Sequence, residues 1–155
     1  MAIGYRVAQI ENREAVFSGD GGLYVAGRWN YKGRKVVYCS ESISLCTLEW
    51  LSHNGLSVSG FCYYRFSINI PNDWIVQYNI SDLPKEWNFT PALDKTRDFA
   101  EKMLFSNPKY LAMKLPSVVI PEEYNYIINT LHQSYPDVLK SIIDLGQYSA
   151  PHRAN

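Results

Sequence analysis

The sequence carries no excess of charge of either sign: Lys and Arg total 15, Asp and Glu total 15, and the formal net charge is +0. Domains that live on nucleic acid usually show a basic excess against the phosphate backbone, so the balance argues against one. Cysteine is scarce. Cys39, Cys46 and Cys62 are odd in number, form no C-x-x-C and have no partner pair at zinc-finger spacing, which excludes a disulfide framework and structural zinc. Reduced thiols in a cytosol are the default for such a pattern, so a cytoplasmic protein without a metal site is expected. No stretch approaches the roughly 18–20 apolar residues of a membrane span, and Met1–Ile10 lacks the apolar core of a signal peptide. Nucleotide fingerprints are missing too. Gly19-Asp20-Gly21-Gly22 does not have G-x-G-x-x-G spacing and opens no helix, and no Walker lysine, H-E-x-x-H or G-x-S-x-G pattern occurs.

What is present is globular. A hydrophobic share of 46% against 19% charged residues, over 155 residues, suits one domain with its own core. Gly4–Ala8 reads as a short edge strand, Gly19–Gly22 and Arg28–Arg34 as loops, and the β-branched and aromatic run Lys35–Cys39 as a strand. Ser40–His53 reads as a helix with Ser40 or Ser42 as N-cap and Gly55 beyond its end. Its apolar residues spread almost round the wheel, so it is buried on several sides and Glu49 has little route to open solvent. Phe61–Ile70 alternates as a strand with Cys62, Tyr64, Phe66, Ile68 and Ile70 on one face, stopped by Pro71. Trp74–Val76 is a further short strand, Ser81–Pro91 a loop, and Thr96–Phe105 a helix. Strands are expected at Tyr110–Leu115 and Ser117–Ile120, on either side of Pro116, and at Tyr124–Asn129, with Pro136–Leu145 as a closing helix. The class is α+β, a single compact domain with central strands and inserted helices.

Two blocks carry a more specific signal. The first runs Gly27-Arg28-Trp29-Asn30, Gly33, Val37-Tyr38-Cys39-Ser40-Glu41-Ser42, then Leu48-Glu49-Trp50-Leu51-Ser52-His53. The second is Leu115-Pro116-Ser117-Val118-Val119-Ile120-Pro121, followed by Glu122, Asn125-Tyr126, Asn129 and His132. In this order and spacing, from about Gly21 to Pro136, the chain resembles the RES-domain toxins of bacterial toxin–antitoxin pairs. It departs from the family pattern at Ala26, at Thr130, at Arg97–Glu101 and in the tail from Asp144 onward.

The resemblance implies a fold similar to ADP-ribosyltransferase toxins and an active site of Arg28, Tyr38, Glu49 and Ser117. NAD is then the substrate, with no further cofactor. Arg28 would offer a forked, permanently charged donor set to the pyrophosphate or the nicotinamide-side ribose. Glu49 would stabilise the positive charge growing on the ribose as nicotinamide leaves. Tyr38 would stack on the nicotinamide, and Ser117 would position an amide or ribose oxygen. Trp29 and Asn30 join the substrate-binding candidates, with loop anchoring as the alternative for Trp29. The resemblance further implies an antitoxin of the Xre type, carrying a helix-turn-helix, and homodimers as one expected assembly. NAD glycohydrolysis or phosphorolysis leads. Transfer of ADP-ribose to a protein, a non-catalytic nucleotide-binding module, and a nucleic-acid reader using Phe61–Phe66 compete with it. His53 and His132 read as ordinary polar contacts.

Overall fold

The computed structural model describes residues 1–54 and 62–149. Among the described residues seven strands form one sheet in the order β4-β5-β6-β2-β1-β3-β7. They are β1 (Ala2–Ala8), β2 (Val36–Ser40), β3 (Cys62–Ile70), β4 (Ile75–Gln77), β5 (Ala112–Pro116), β6 (Tyr124–Asn129) and β7 (Ile143–Ser149). Only β4 and β5 run parallel; every other neighbouring pair is antiparallel. The helices are α1 (Arg13–Val16), α2 (Gly21–Tyr24), α3 (Ile43–Asn54), α4 (Asp94–Ala100) and α5 (Tyr135–Leu139), and α4 runs on into a π-helical turn, Glu101–Phe105.

The sheet is two half-sheets joined by a narrow seam. β1 pairs with β2 through Tyr5 and Ser40 alone, whereas β1 pairs with β3 over seven successive residues and β2 with β6 over five. Beyond that pair the strands part. The Arg6 guanidinium donates to the Tyr38 carbonyl on β2 at 2.8 Å and to the Val16 carbonyl at the end of α1 at 2.9 Å, which satisfies one strand and one helix-terminal acceptor.

Both faces are covered, which is why β2 reads as a continuous run rather than an alternating one. On one face α1 and α5 bring Val16, Phe17, Tyr135 and Val138 onto Val37, Cys39, Phe66, Ile68 and Ile128. On the other, Trp29, Leu83, Trp87, Ala100 and Leu104 cover Val36, Met113, Leu115 and Ile127 of the four-stranded half. There α3 lies over the three-stranded half, with Cys46 against Val7 and Tyr63.

Lys35–Cys39 and Tyr124–Asn129 form strands as expected, and the long helix occupies Ile43–Asn54. The expected stop at Gly55 and the strand start at Phe61 lie outside the described residues. Four expectations are corrected. β1 is no edge strand but lies between β2 and β3, where Gly4 admits a close neighbour: a Cβ there would sit 3.0 Å from that of Cys39. The Gly19–Gly22 loop winds into α2 from Gly21. Ser117–Ile120 is a turn, because Pro116 ends the strand and the Ser117 hydroxyl accepts the amides of Val119 (3.0 Å) and Ile120 (3.2 Å). The closing helix ends at Leu139, and Ile143 onward pairs with β3 as β7, with a bulge at Leu145; tertiary pairing overrides the helical pattern there.

Candidate active site

The segment carrying Arg28 is held from three directions. Gly27 and Asn30 close a tight turn in which the Gly27 amide meets both the carbonyl (3.1 Å) and the side-chain oxygen (3.0 Å) of Asn30. The Asn30 amide nitrogen donates to the carbonyls of Val25 and Tyr31, so this buried side chain braces the loop. Trp29 is likewise an anchor, 4% exposed and edge-on to Phe99. Helix α4 pins the backbone on either side: Thr96 Oγ donates to the Arg28 carbonyl at 2.6 Å and Arg97 Nε to the Gly27 carbonyl at 2.9 Å. Sequence reasoning assigned no role to Thr96 or Arg97.

The Arg28 guanidinium rests on neutral oxygens. Nη1 donates to the carbonyls of Trp87 (2.8 Å) and Phe89 (2.7 Å), and Nη2 lies 3.4 Å from Thr90 Oγ. Among the described residues it forms no salt bridge, so neither a surface acid nor Glu49 neutralises it directly. Burial and the nearby Arg97 hold its pKa below the ordinary value, while the charges of Glu49 and Tyr38 act the other way. An arginine positioned by carbonyls keeps its full charge for an incoming anion.

Tyr38 is half-buried at the seam, and burial raises its pKa. Its hydroxyl donates to Asn30 Oδ1 at 2.6 Å and accepts the Trp29 amide at 3.3 Å, leaving the ring rather than the hydroxyl for a ligand. Gly27 makes this possible: a Cβ there would stand 2.6 Å from the Tyr38 hydroxyl and 2.5 Å from Asn30 Oδ1. A cavity of about 240 Å³ opens beside it, lined by Arg6, Gly19–Gly22, Gly27, Asn30, Tyr38 and His53. Arg28, Glu49, Ser117 and Trp29 are not in that lining. Glu49 precedes His53 by one helical turn, which sets both on the same face of α3.

Glu49 is the meeting point of two distant segments. Its Oε1 accepts from Ser117 Oγ at 2.7 Å and from Asn125 Nδ2 at 2.6 Å. Ser117 is fully buried behind the carboxylate, so its hydroxyl addresses Glu49 and the 117–120 turn instead of an open pocket. Sequence reasoning gave Asn125 no role of its own, although a polar side chain inside the apolar run of β6 was a signal for a buried polar contact. His132 is structural, with Nε2 2.9 Å from the Pro108 carbonyl and Nδ1 accepting the Ser134 amide. Among the described residues no cluster of His, Cys, Asp and Glu fits a metal ion, and no helix is long and apolar enough to cross a membrane.

The family model of the RES domain matches residues 3–149. The chain belongs to the RES-domain family. Toxin Res of Yersinia enterocolitica serotype O:8 / biotype 1B is 31% identical over 142 residues, which cover 92% of this RES domain and 93% of the relative. A protein of Sphingobium sp. strain YBL2 named Prs ADP-ribosylating toxin is 30% identical over 118 residues, 74% of this chain and 73% of the relative. Among solved structures, the crystal structure of the M. tuberculosis MbcT–MbcA toxin–antitoxin complex matches with a TM-score of 0.65. That match covers 96% of this chain and 83% of the other at 14% identity, so the likeness is one of fold. The RES fold here is the expected single α+β domain.

Proposed function

We propose that this RES domain is the toxin of a toxin–antitoxin pair and depletes NAD by cleaving the bond between nicotinamide and ribose. One observation carries the reading most directly. A carboxylate, Glu49, is held by Ser117 and Asn125 within electrostatic reach of an arginine that has no acidic partner among the described residues. In the reaction the C1–N bond of the nicotinamide riboside breaks, its electron pair leaves with neutral nicotinamide, and C1 becomes cationic. Glu49 stabilises that cation, Arg28 binds the anionic pyrophosphate, and the Tyr38 ring packs on the nicotinamide. Water adding to C1 and losing a proton yields ADP-ribose, and phosphate in its place yields ADP-ribose 1″-phosphate.

Transfer of ADP-ribose to a protein is the second reading, favoured by the name of the Sphingobium relative. For the partner we propose an Xre-type antitoxin that covers the pocket in the cytoplasm. Tyr24, Val25 and Phe89 are 73%, 66% and 50% exposed on the segments around Arg28, apolar surface suited to a protein cover.

The test is NAD consumption by the purified chain, resolved by chromatography, beside Arg28→Ala and Glu49→Gln. Nicotinamide release by the wild type is expected, lost in Arg28→Ala and reduced about 10²-fold or more in Glu49→Gln. The co-product names the acceptor: ADP-ribose for water, the 1″-phosphate for phosphate, labelled protein for transfer. Intact NAD at high enzyme concentration, with and without phosphate or protein acceptors, would sink the reading.

A further inference from the structure

The hydrogen bonds to Glu49 are lopsided. Both converge on Oε1, and among the described residues Oε2 receives none. The Asn125 donor is itself oriented. Its Oδ1 accepts from Ser40 Oγ at 2.7 Å, which holds the amide at both ends, between Ser40 and the carboxylate. A flipped amide would face Glu49 with a second acceptor, and since the Ser40 hydroxyl can pair with either end of the amide, it is the acceptor-only carboxylate that selects the NH₂ group. The spacing of this relay is set by the sheet, since Ser40 on β2 and Asn125 on β6 are register partners. Ser40, 3% exposed, is also the residue through which β2 meets β1 at the seam.

We infer that Asn125 is a positioning residue for the NAD reaction, acting through Glu49 and oriented by Ser40, so that Oε1 is fixed and Oε2 is left to meet the substrate. The inference rests on the reading of Glu49 as the catalytic carboxylate. The two donors fix the plane of the carboxylate. The other groups that act on Glu49 do different work: Arg28, from the 27–30 turn, supplies a cationic field, Cys46 lies on the same helix, and Ser117 reaches the same oxygen.

Two Asn125 variants decide it, with Glu49→Gln alongside. Asn125→Ala removes a charge-assisted bond and should lower kcat on the order of 10-fold or more, with the KM for NAD within about twofold. In Asn125→Asp the two carboxylates share a proton: the protonated Asp still donates to Oε1, and loss of that proton at higher pH abolishes the donor. The ratio of variant to wild-type kcat therefore falls as pH rises, a signature that loss of packing alone does not produce. Ser40→Ala should lower kcat in the same direction by less. A folded Asn125→Ala with wild-type kcat, or an Asn125→Asp profile of unchanged shape, overturns the inference if Glu49→Gln is inactive. Full turnover in Glu49→Gln overturns the catalytic reading and this inference with it.

Discussion

The two half-sheets treat polar groups in opposite ways. In the four-stranded half, buried polar side chains are bonded to one another and converge on one carboxylate: Ser40 to Asn125, and Asn125 and Ser117 to Glu49. The three-stranded half stacks rings instead. Trp50 lies 5.1 Å from Tyr63, Tyr63 lies 5.4 Å from Tyr148, and the Arg65 guanidinium sits 4.7 Å over the Tyr148 ring. Burying polar groups is favourable only when each finds a partner, so a connected network in one half marks where the fold accepts that constraint. The ring stack is geometrically tolerant and fits a scaffold for α3, the helix that brings Glu49 across the seam.

The largest effect expected from this division lies on the scaffold side. Tyr63 is 1% exposed between Trp50 and Tyr148, and Tyr63→Ala should destabilise the fold by about 3–5 kcal/mol, the usual range for deleting a buried aromatic ring. Urea titration measures that loss. At a temperature where the variant is still folded, its kcat should match the wild type. A folded Tyr63→Ala with kcat down tenfold would break the division, because the stack would then be shaping the site.

The same division explains what the sequence made legible. The β-branched run of β2 and the run of β6 are buried on both sides and matched their strands closely. Arg28, Tyr38 and Glu49 were singled out as candidates by their order along the chain. The relations between them were not, because Ser117 and Glu49 are 68 positions apart and Asn125 and Glu49 are 76. No local periodicity encodes such contacts. β7 was misread for a related reason: Ile143–Ser149 is almost wholly exposed, and only its pairing with β3 makes it a strand. Trp29 and Asn30 carried the motif, and their bracing of the turn was not legible from spacing.

A second test addresses the seam, where the halves share buried thiols. Burial pushes the Cys39 thiol on β2 from 9.0 to about 12 and the Cys46 thiol on α3 from 9.0 to about 11, with Arg6 opposing both shifts. The folded chain holds these protons more tightly than the unfolded chain, so the associated stability is complete below pH 9. It is lost as pH rises through 9 towards 11 and 12. Burial raises Tyr38 and Tyr135 as well, which extends the loss above the ordinary tyrosine range. Chemical denaturation across this range should show a steady fall in stability, shallower in Cys39→Ala. An equal slope in that variant would remove the seam thiol from the alkaline response.

The smallest effect is expected at the outer edge of the scaffold half. Arg65 has one hydrogen bond of 3.3 Å to the Leu145 carbonyl, and its Nε is buried without a partner among the described residues. The cation–ring contact with Tyr148 lies at a site 41% exposed, where such contacts contribute about 0.5–1 kcal/mol. Lysine keeps the charge but not the flat stacking face, and it removes the unpartnered Nε, so gain and loss partly offset. Arg65→Lys should therefore lower stability by under about 1 kcal/mol and leave NAD kinetics unchanged. Arg28 is the sharper control, since its Nη1 holds the carbonyls of Trp87 and Phe89 while Nη2 stays beside Thr90, and lysine has a single nitrogen for all of these. If the exchange of arginine for lysine proved equally mild at both positions, the polar half would be no more tightly organised than the stacked one, and the contrast between them would fail.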